Sequence, residues 1–221
     1  MRGLHGWDAW NVTEDADLGI RLALAGYRVA DLPSATLEEA PATVRAWLKQ
    51  RTRWMKGYMQ TCITHGRQPL QALRTLGFAR FTGAVTLTFG ALLAALGYPF
   101  FVVHVLVSLA DGTLTRAGTP FEALQAAIGL TLLVAGLFAM MGPAVVAIRL
   151  RQLGRLMAFV PLLPLYYALV SVAAWRGLAE LLLDPYRWTK TEHGLARTSR
   201  AGLLRDAGSD LARPARVAGR D

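Results

Sequence analysis

The sequence predicts an α/β segment followed by an α-helical membrane region: an amphipathic interface helix, two transmembrane helices, and one re-entrant or third membrane helix. Three observations carry this prediction. Hydrophobic residues make up 53% and charged residues 18% of the 221 positions, where a soluble domain carries about 25% charge, and the mean hydropathy is +0.32. Residues 81–110 and 123–148 contain no Lys, Arg, Asp or Glu, and each run exceeds the roughly 20 apolar residues a crossing needs. Ahead of them, a helix opened by acids leads into the strand-like Tyr27-Arg28-Val29-Ala30.

Residues 1–42 read as the C-terminal remnant of a larger domain. Asp15 and Asp17 favour a helix start, because anions suit the positive helix end, and the helix continues to about Ala25. Gly26 fits a C-cap, and Pro33 ends the strand that follows. One helix and one strand do not enclose a core, so the expectation is either that this segment docks on another chain or that upstream sequence is missing. Residues 43–80 form an amphipathic interface helix and its connector. Val44, Trp47, Leu48, Met55, Tyr58, Met59 and Cys62 recur at helical spacing, with Arg45, Lys49, Arg53 and Lys56 on the other surfaces. A basic amphipathic helix carrying Trp and Tyr suits a membrane surface.

Residues 81–110 are the first transmembrane helix, 111–122 a nearly neutral external loop, and 123–148 the second transmembrane helix. Arg149, Arg151 and Arg155 follow, and the excess of Lys and Arg places residues 1–80 and 149–155 on the cytoplasmic side. Residues 156–183 are apolar but interrupted by Pro161 and Pro164 and polarised by Arg176 and Glu180. They are read as a membrane-embedded or interfacial helix that returns the chain to the cytoplasm, a full crossing being the alternative. Residues 184–194 are then a cytoplasmic loop and 195–221 a disordered basic tail. The expectation is a multi-pass protein of the cell's inner (plasma) membrane with both termini cytoplasmic. The net charge of +9 flanks apolar stretches and lacks interleaved aromatics in the tail, which excludes nucleic acid as a partner. Cys62 is the single cysteine, so no internal disulfide forms. Nothing in the pattern fixes an oligomeric state.

Two short stretches carry possible chemistry. Thr13-Glu14-Asp15 ends a loop and opens a helix. A carboxylate there is an ordinary helix-start residue, or, beside a cleft, a group able to take a proton from a hydroxyl nucleophile. Gln50-Arg51-Thr52-Arg53-Trp54 lies on the interface helix. Spacings of three and four put Gln50, Arg53 and Trp54 on one face, which offers an amide, a guanidinium fork suited to diphosphate and an indole on which a sugar ring stacks.

Taken together, a TED acid, then QxxRW some 35 residues later, then membrane helices resemble the processive family 2 glycosyltransferases, such as cellulose, chitin and hyaluronan synthases. Gly6-Trp7-Asp8, Asn11 through Gly19, Arg21-Leu22, Gly26-Tyr27, Glu38-Glu39-Ala40-Pro41 and Gln50 through Gly57 are similar to the family pattern in order. The resemblance implies that residues 1–42 are an α/β fragment of a GT-A-like glycosyltransferase domain. It also implies inverting transfer from a nucleotide-sugar to a glycan acceptor, with Asp15 as general base. Thr13, Glu14, Gln50, Arg53 and Trp54 would bind acceptor and diphosphate. Pro185 through Gly194 resembles a donor-covering loop, which makes Trp188, Lys190, Thr191 and His193 donor-loop candidates.

The departure is equally informative. The family places a metal-binding DxD upstream of TED. Here the spelling occurs at Asp15-Ala16-Asp17, inside the TED segment itself. A divalent metal, Mg or Mn, is therefore expected in a full-length enzyme through a DxD absent here, with no metal ligand assigned among these residues. The chain is expected to be the acceptor-side and membrane portion of such an enzyme, inactive alone. The alternative is a non-catalytic integral membrane protein derived from one.

Overall fold

The computed structural model describes residues 6–8, 11–30, 32, 40–113 and 118–185. In chain order it contains α1 (Glu14–Leu24), α2 (Val44–His65), α3 (Pro69–Leu76) and α4 (Phe78–Val85). A π-helical segment (Thr86–Gly90), α5 (Ala91–Ala110), α6 (Pro120–Leu150), a 3-10 segment (Gly154–Leu162) and α7 (Leu163–Leu183) complete it.

The α/β, GT-A-like class expected for the N-terminal segment is overturned: among the described residues there is no strand and no sheet. The physical reason lies at Tyr27–Ala30. Its residue types favour extension, but a strand exists only through ladder hydrogen bonds to a neighbour. No second extended segment accompanies it among the described residues, and Tyr27 and Val29 stand 61% and 74% exposed.

Local chemistry sets the helix boundaries. Glu14, Asp15 and Asp17 occupy the first turn of α1. It ends in a Schellman turn, with Tyr27 N–H donating to the Leu22 carbonyl and Gly26, at φ +84°, donating to that of Ala23. The Thr43 hydroxyl caps α2 by accepting from Ala46 N–H at 3.1 Å. Thr119 and Glu122 form a reciprocal capping box at the start of α6, with Pro120 in the first turn.

Three helical stretches, Phe78–Ala110, Pro120–Leu150 and Gly154–Leu183, are long and apolar enough to cross a membrane. Their surfaces stay largely uncovered by the rest of the protein: Phe100, Phe121, Phe138 and Leu165 are all exposed. Apolar area of that extent is stable against lipid and costly against water. Within this region α5 and α7 are joined by Trp175 Nε1–H donating to the Leu96 carbonyl at 3.1 Å, Tyr98 Oη–H donating to that of Pro164 at 2.8 Å, and an edge-on Phe100–Trp175 contact.

α2 packs against α7. At the crossing, Gly177 meets backbone: a β-carbon there would lie 3.0 Å from the Thr52 carbonyl oxygen and 3.1 Å from the Lys56 nitrogen. Toward one end Trp47 stacks edge-on against Tyr166, with centroids 5.3 Å apart. Toward the other, the Lys56 ammonium, 2% exposed, donates to the Asp184 carbonyl at 2.9 Å where α7 ends. A cation suits the partial negative charge of a helix C-terminus. Cys62, near the π-helical segment, is a packing residue: burial pushes its thiol above the ordinary range, opposed by a hydrogen bond with Thr88.

Gly177→Val should force α2 and α7 apart, since the atoms it meets are backbone and cannot rotate away. We expect a loss of about 1–3 kcal/mol, the cost of overpacking a close contact, read as a lowered midpoint of thermal unfolding in detergent. Val172→Ala, at an exposed position on the same helix, should leave that midpoint unchanged.

Candidate functional site

The turn before α1 is fixed to α2 by shape and by hydrogen bonds. Asn11, Val12 and Thr13 are all buried. Asn11 Oδ1 accepts from the Thr13 N–H at 3.0 Å and its hydroxyl at 3.2 Å, closing the turn on itself. Asn11 Nδ2 then donates to Thr61 Oγ1 at 2.8 Å, and the Val12 N–H donates to Gln60 Oε1 at 3.4 Å, both on α2. Thr13 packs where Gly57 has no side chain: a β-carbon on Gly57 would lie 2.5 Å from Thr13 Cγ2 and 2.6 Å from its Oγ1.

Helical geometry shows what else lies on that surface. At about 100° per residue, positions three, four and seven before Gly57 fall within roughly 60° of it around the helix axis. These are Trp54, Arg53 and Gln50. The face of α2 that receives the TED turn is therefore the face carrying QxxRW. Thr52, Met55 and Lys56, which meet Gly177, lie on the far side. α2 is held between the TED turn and α7.

Individual side chains divide into exposed and committed groups. Asp15 is exposed at the start of α1, its Oδ1 accepting from Ala16 N–H at 2.9 Å. Asp17, two residues on, is 2% exposed and fully engaged: Oδ2 accepts from Arg21 Nε at 2.7 Å, and Oδ1 lies 2.7 Å from His65 Nε2. The Asp15-Ala16-Asp17 spelling therefore does not present two carboxylates to one point, and among the described residues no group of three or more His, Cys, Asp or Glu could hold a metal. A divalent ion does not fit these residues, and no step below passes through one.

The cation beside the indole is not the one the spacing singled out. Arg51 stacks over Trp54, its guanidinium carbon 4.2 Å from the ring centroid, and also lies 5.6 Å from that of Trp47. Arg53 has its Nε enclosed with no hydrogen-bond partner among the described residues. Gln50 is half-buried on the same face. Thr13, Glu14 and Asp15 lie in or beside the turn that meets this helix, while Trp188, Lys190, Thr191 and His193 lie outside the described residues. Two further participants were readable but passed over. Arg51 lies four residues after Trp47 and three before Trp54, the spacing of helix-surface neighbours. Gly57 interrupts a helix interior, where glycine is unfavourable unless something approaches closely. The Asp17–His65 pair is invisible to spacing, because its members come from different helices.

Comparison with known proteins agrees with these motifs. The family model for "Glycosyl transferase family group 2" matches residues 1–172, and the chain belongs to that family. Over 55 residues it is 44% identical to the protein described as "Probable glycosyltransferase YdaM" of Bacillus subtilis (strain 168). That stretch covers 24% of this chain and 13% of the relative, so the match spans a small part of the relative's length. No solved structure matches the chain.

The Gly57–Thr13 contact lends itself to a double-mutant cycle. Gly57→Ala should displace the TED turn, costing about 1–3 kcal/mol of stability. Thr13→Gly, which removes every Thr13 atom the new methyl would meet, should recover part of that loss in the double variant. Strictly additive losses in thermal unfolding would show that the two residues are not in contact.

Proposed function

We propose that this chain forms the acceptor side and membrane anchor of an inverting glycosyltransferase, which moves sugar from a nucleotide-sugar to a growing polysaccharide or other glycan. The observation that carries the reading is the docking of the TED turn on the QxxRW face of α2 through Gly57. Asp15 is the general base: its carboxylate is exposed while the residues on either side of it in the turn and first helical turn are anchored. It takes the proton of the acceptor hydroxyl as that oxygen bonds to the anomeric carbon and the nucleotide diphosphate leaves from the opposite face. Arg53, with an unpartnered Nε on the receiving face, supplies positive charge to the diphosphate. Trp54 stacks a sugar ring on the indole face that Arg51 leaves open, with Gln50, Thr13 and Glu14 contributing polar contacts to acceptor and diphosphate.

The donor nucleotide and its divalent metal, Mg or Mn, need a DxD-bearing half that these 221 residues do not spell. Transfer is therefore a property of this chain together with such a half. Trp188, Lys190, Thr191 and His193 are proposed as donor-loop contacts on sequence grounds alone.

An Asp15→Asn allele placed in the source cell should lower sugar incorporation from nucleotide-sugar into membrane glycan by about 10²–10⁴-fold, the usual contribution of a general base, with protein level and membrane insertion unchanged. Unaltered incorporation would remove Asp15 from the mechanism and favour the non-catalytic membrane protein. Trp54→Ala in the same assay should raise KM for acceptor more than KM for donor. The 221-residue chain alone, reconstituted in bilayers, should show no turnover with any labelled nucleotide-sugar; turnover would show that the donor site is complete within it.

A further inference from the structure

A hollow of mixed lining lies outside the site described above. It has a volume of about 330 Å³ and sits where the end of α1, the end of α2 and one face of α3 meet. Thr64, Arg67, Gln68, Gln71 and Thr75 give it hydroxyl, amide and guanidinium groups, and Leu24 closes an apolar side. His65 forms part of the wall, turned to Asp17. Arg67, Gln68, Gln71 and Thr75 are exposed, so their donors are open to a ligand.

Charge narrows the ligand. No lining residue is Asp or Glu. The nearest carboxylate shown, Asp17, stands behind His65 and is already paired with Arg21. Along the sequence no acid occurs between Glu39 and Asp111, while the same stretch holds eight Lys and Arg. A hollow of donors in an acid-free region favours an anion, and a guanidinium flanked by amides and hydroxyls matches the oxygens of a phosphate.

Depth narrows it further. The hollow is built from residues 64–75, and the apolar stretch Phe78–Ala110 begins three residues later. Leu70 and Phe78 are exposed beside it, as are Arg74 and Arg80. Apolar side chains and cations together at the mouth of a spanning stretch belong at the headgroup layer, where anionic lipid attracts each Lys or Arg by about 1 kcal/mol. The geometry points to this hollow as a binding site for the phosphate headgroup of an anionic phospholipid, held by Arg67 with Gln68, Gln71 and Thr75. The site is independent of sugar transfer. By occupying the joint between α1, α2 and α3, the lipid braces the end of α2 opposite Trp47.

The test uses the whole 221-residue chain in nanodiscs of phosphatidylcholine doped with phosphatidylglycerol, with retained lipid counted by native mass spectrometry. The expected result is selective retention of phosphatidylglycerol. Arg67→Gln combined with Gln71→Ala should weaken that retention about tenfold, the loss of one charge-assisted contact. Arg67→Lys should keep most of it. Arg45→Gln, about 30 Å away along α2 by helical rise, should have no effect. Circular dichroism matched to the unaltered chain establishes that the variants are folded; should the double variant fail this check, Arg67→Gln alone is read in its place. Equal losses at Arg45 and Arg67, equal retention of phosphatidylcholine, or no loss in the Arg67 variants would each overturn the proposal. Binding of inorganic phosphate with no lipid retained would overturn the lipid assignment and leave a soluble phosphate as the ligand.

Discussion

The structure depends on two absent β-carbons. Gly57 and Gly177 bring two different partners against α2, one a turn of chain and the other the apolar helix α7. A β-carbon at Gly57 would overlap the Thr13 side chain, and one at Gly177 would press tightly on the α2 backbone. The Thr13 side chain fills the first notch, and α7 lies in register with the α2 backbone at the second. The proposed acceptor site depends on the first contact, because the α2 face that meets Thr13 also bears Gln50, Arg53 and Trp54. A shift of α2 relative to the TED turn would open the Gly57–Thr13 contact.

The apolar helices and the candidate site are joined through α2. Lys56 is buried at 2% exposure on the α7 side of α2, with its ammonium on the carbonyl of Asp184. A buried ammonium is costly unless paired and hydrogen-bonded, and the end of a helix supplies both oriented carbonyls and partial negative charge. Trp47 and Tyr166 hold the opposite end of the contact. The polar helix that carries QxxRW is in this way fastened to an apolar helix that also packs against α5, and the site inherits its position from the apolar helices.

The helices were legible because their signals are local. Acids at the start of α1, Gly26 at its end and the apolar runs are read from a few neighbouring residues, and the described helices Pro120–Leu150 and Phe78–Ala110 contain the two uncharged stretches. The strand at Tyr27–Ala30 was misread because extension is a property of a pair, and sequence preference shows one member. The site was legible as motifs and illegible as contacts. That Gln50, Arg53 and Trp54 share a face follows from helical spacing. That Gly57 opens this face to Thr13 and that Asp17 is held by His65 depend on which helices meet. The short helix α3 went unseen inside the connector, since it is only eight residues long.

The alternation of burial along the TED segment has a consequence for Asp15. Thr13 and Asp17 are both anchored to α2, the first by packing against Gly57 and the second through His65. The residue midway between them is open to solvent, yet its main chain is pinned two positions to either side. Solvent-facing carboxylates usually sample many placements, and a binding partner must halt that sampling before it can react or coordinate. Here the halt happens during folding. What remains free is rotation about the two side-chain bonds of one aspartate, a small arc that sweeps the same patch of space in every molecule.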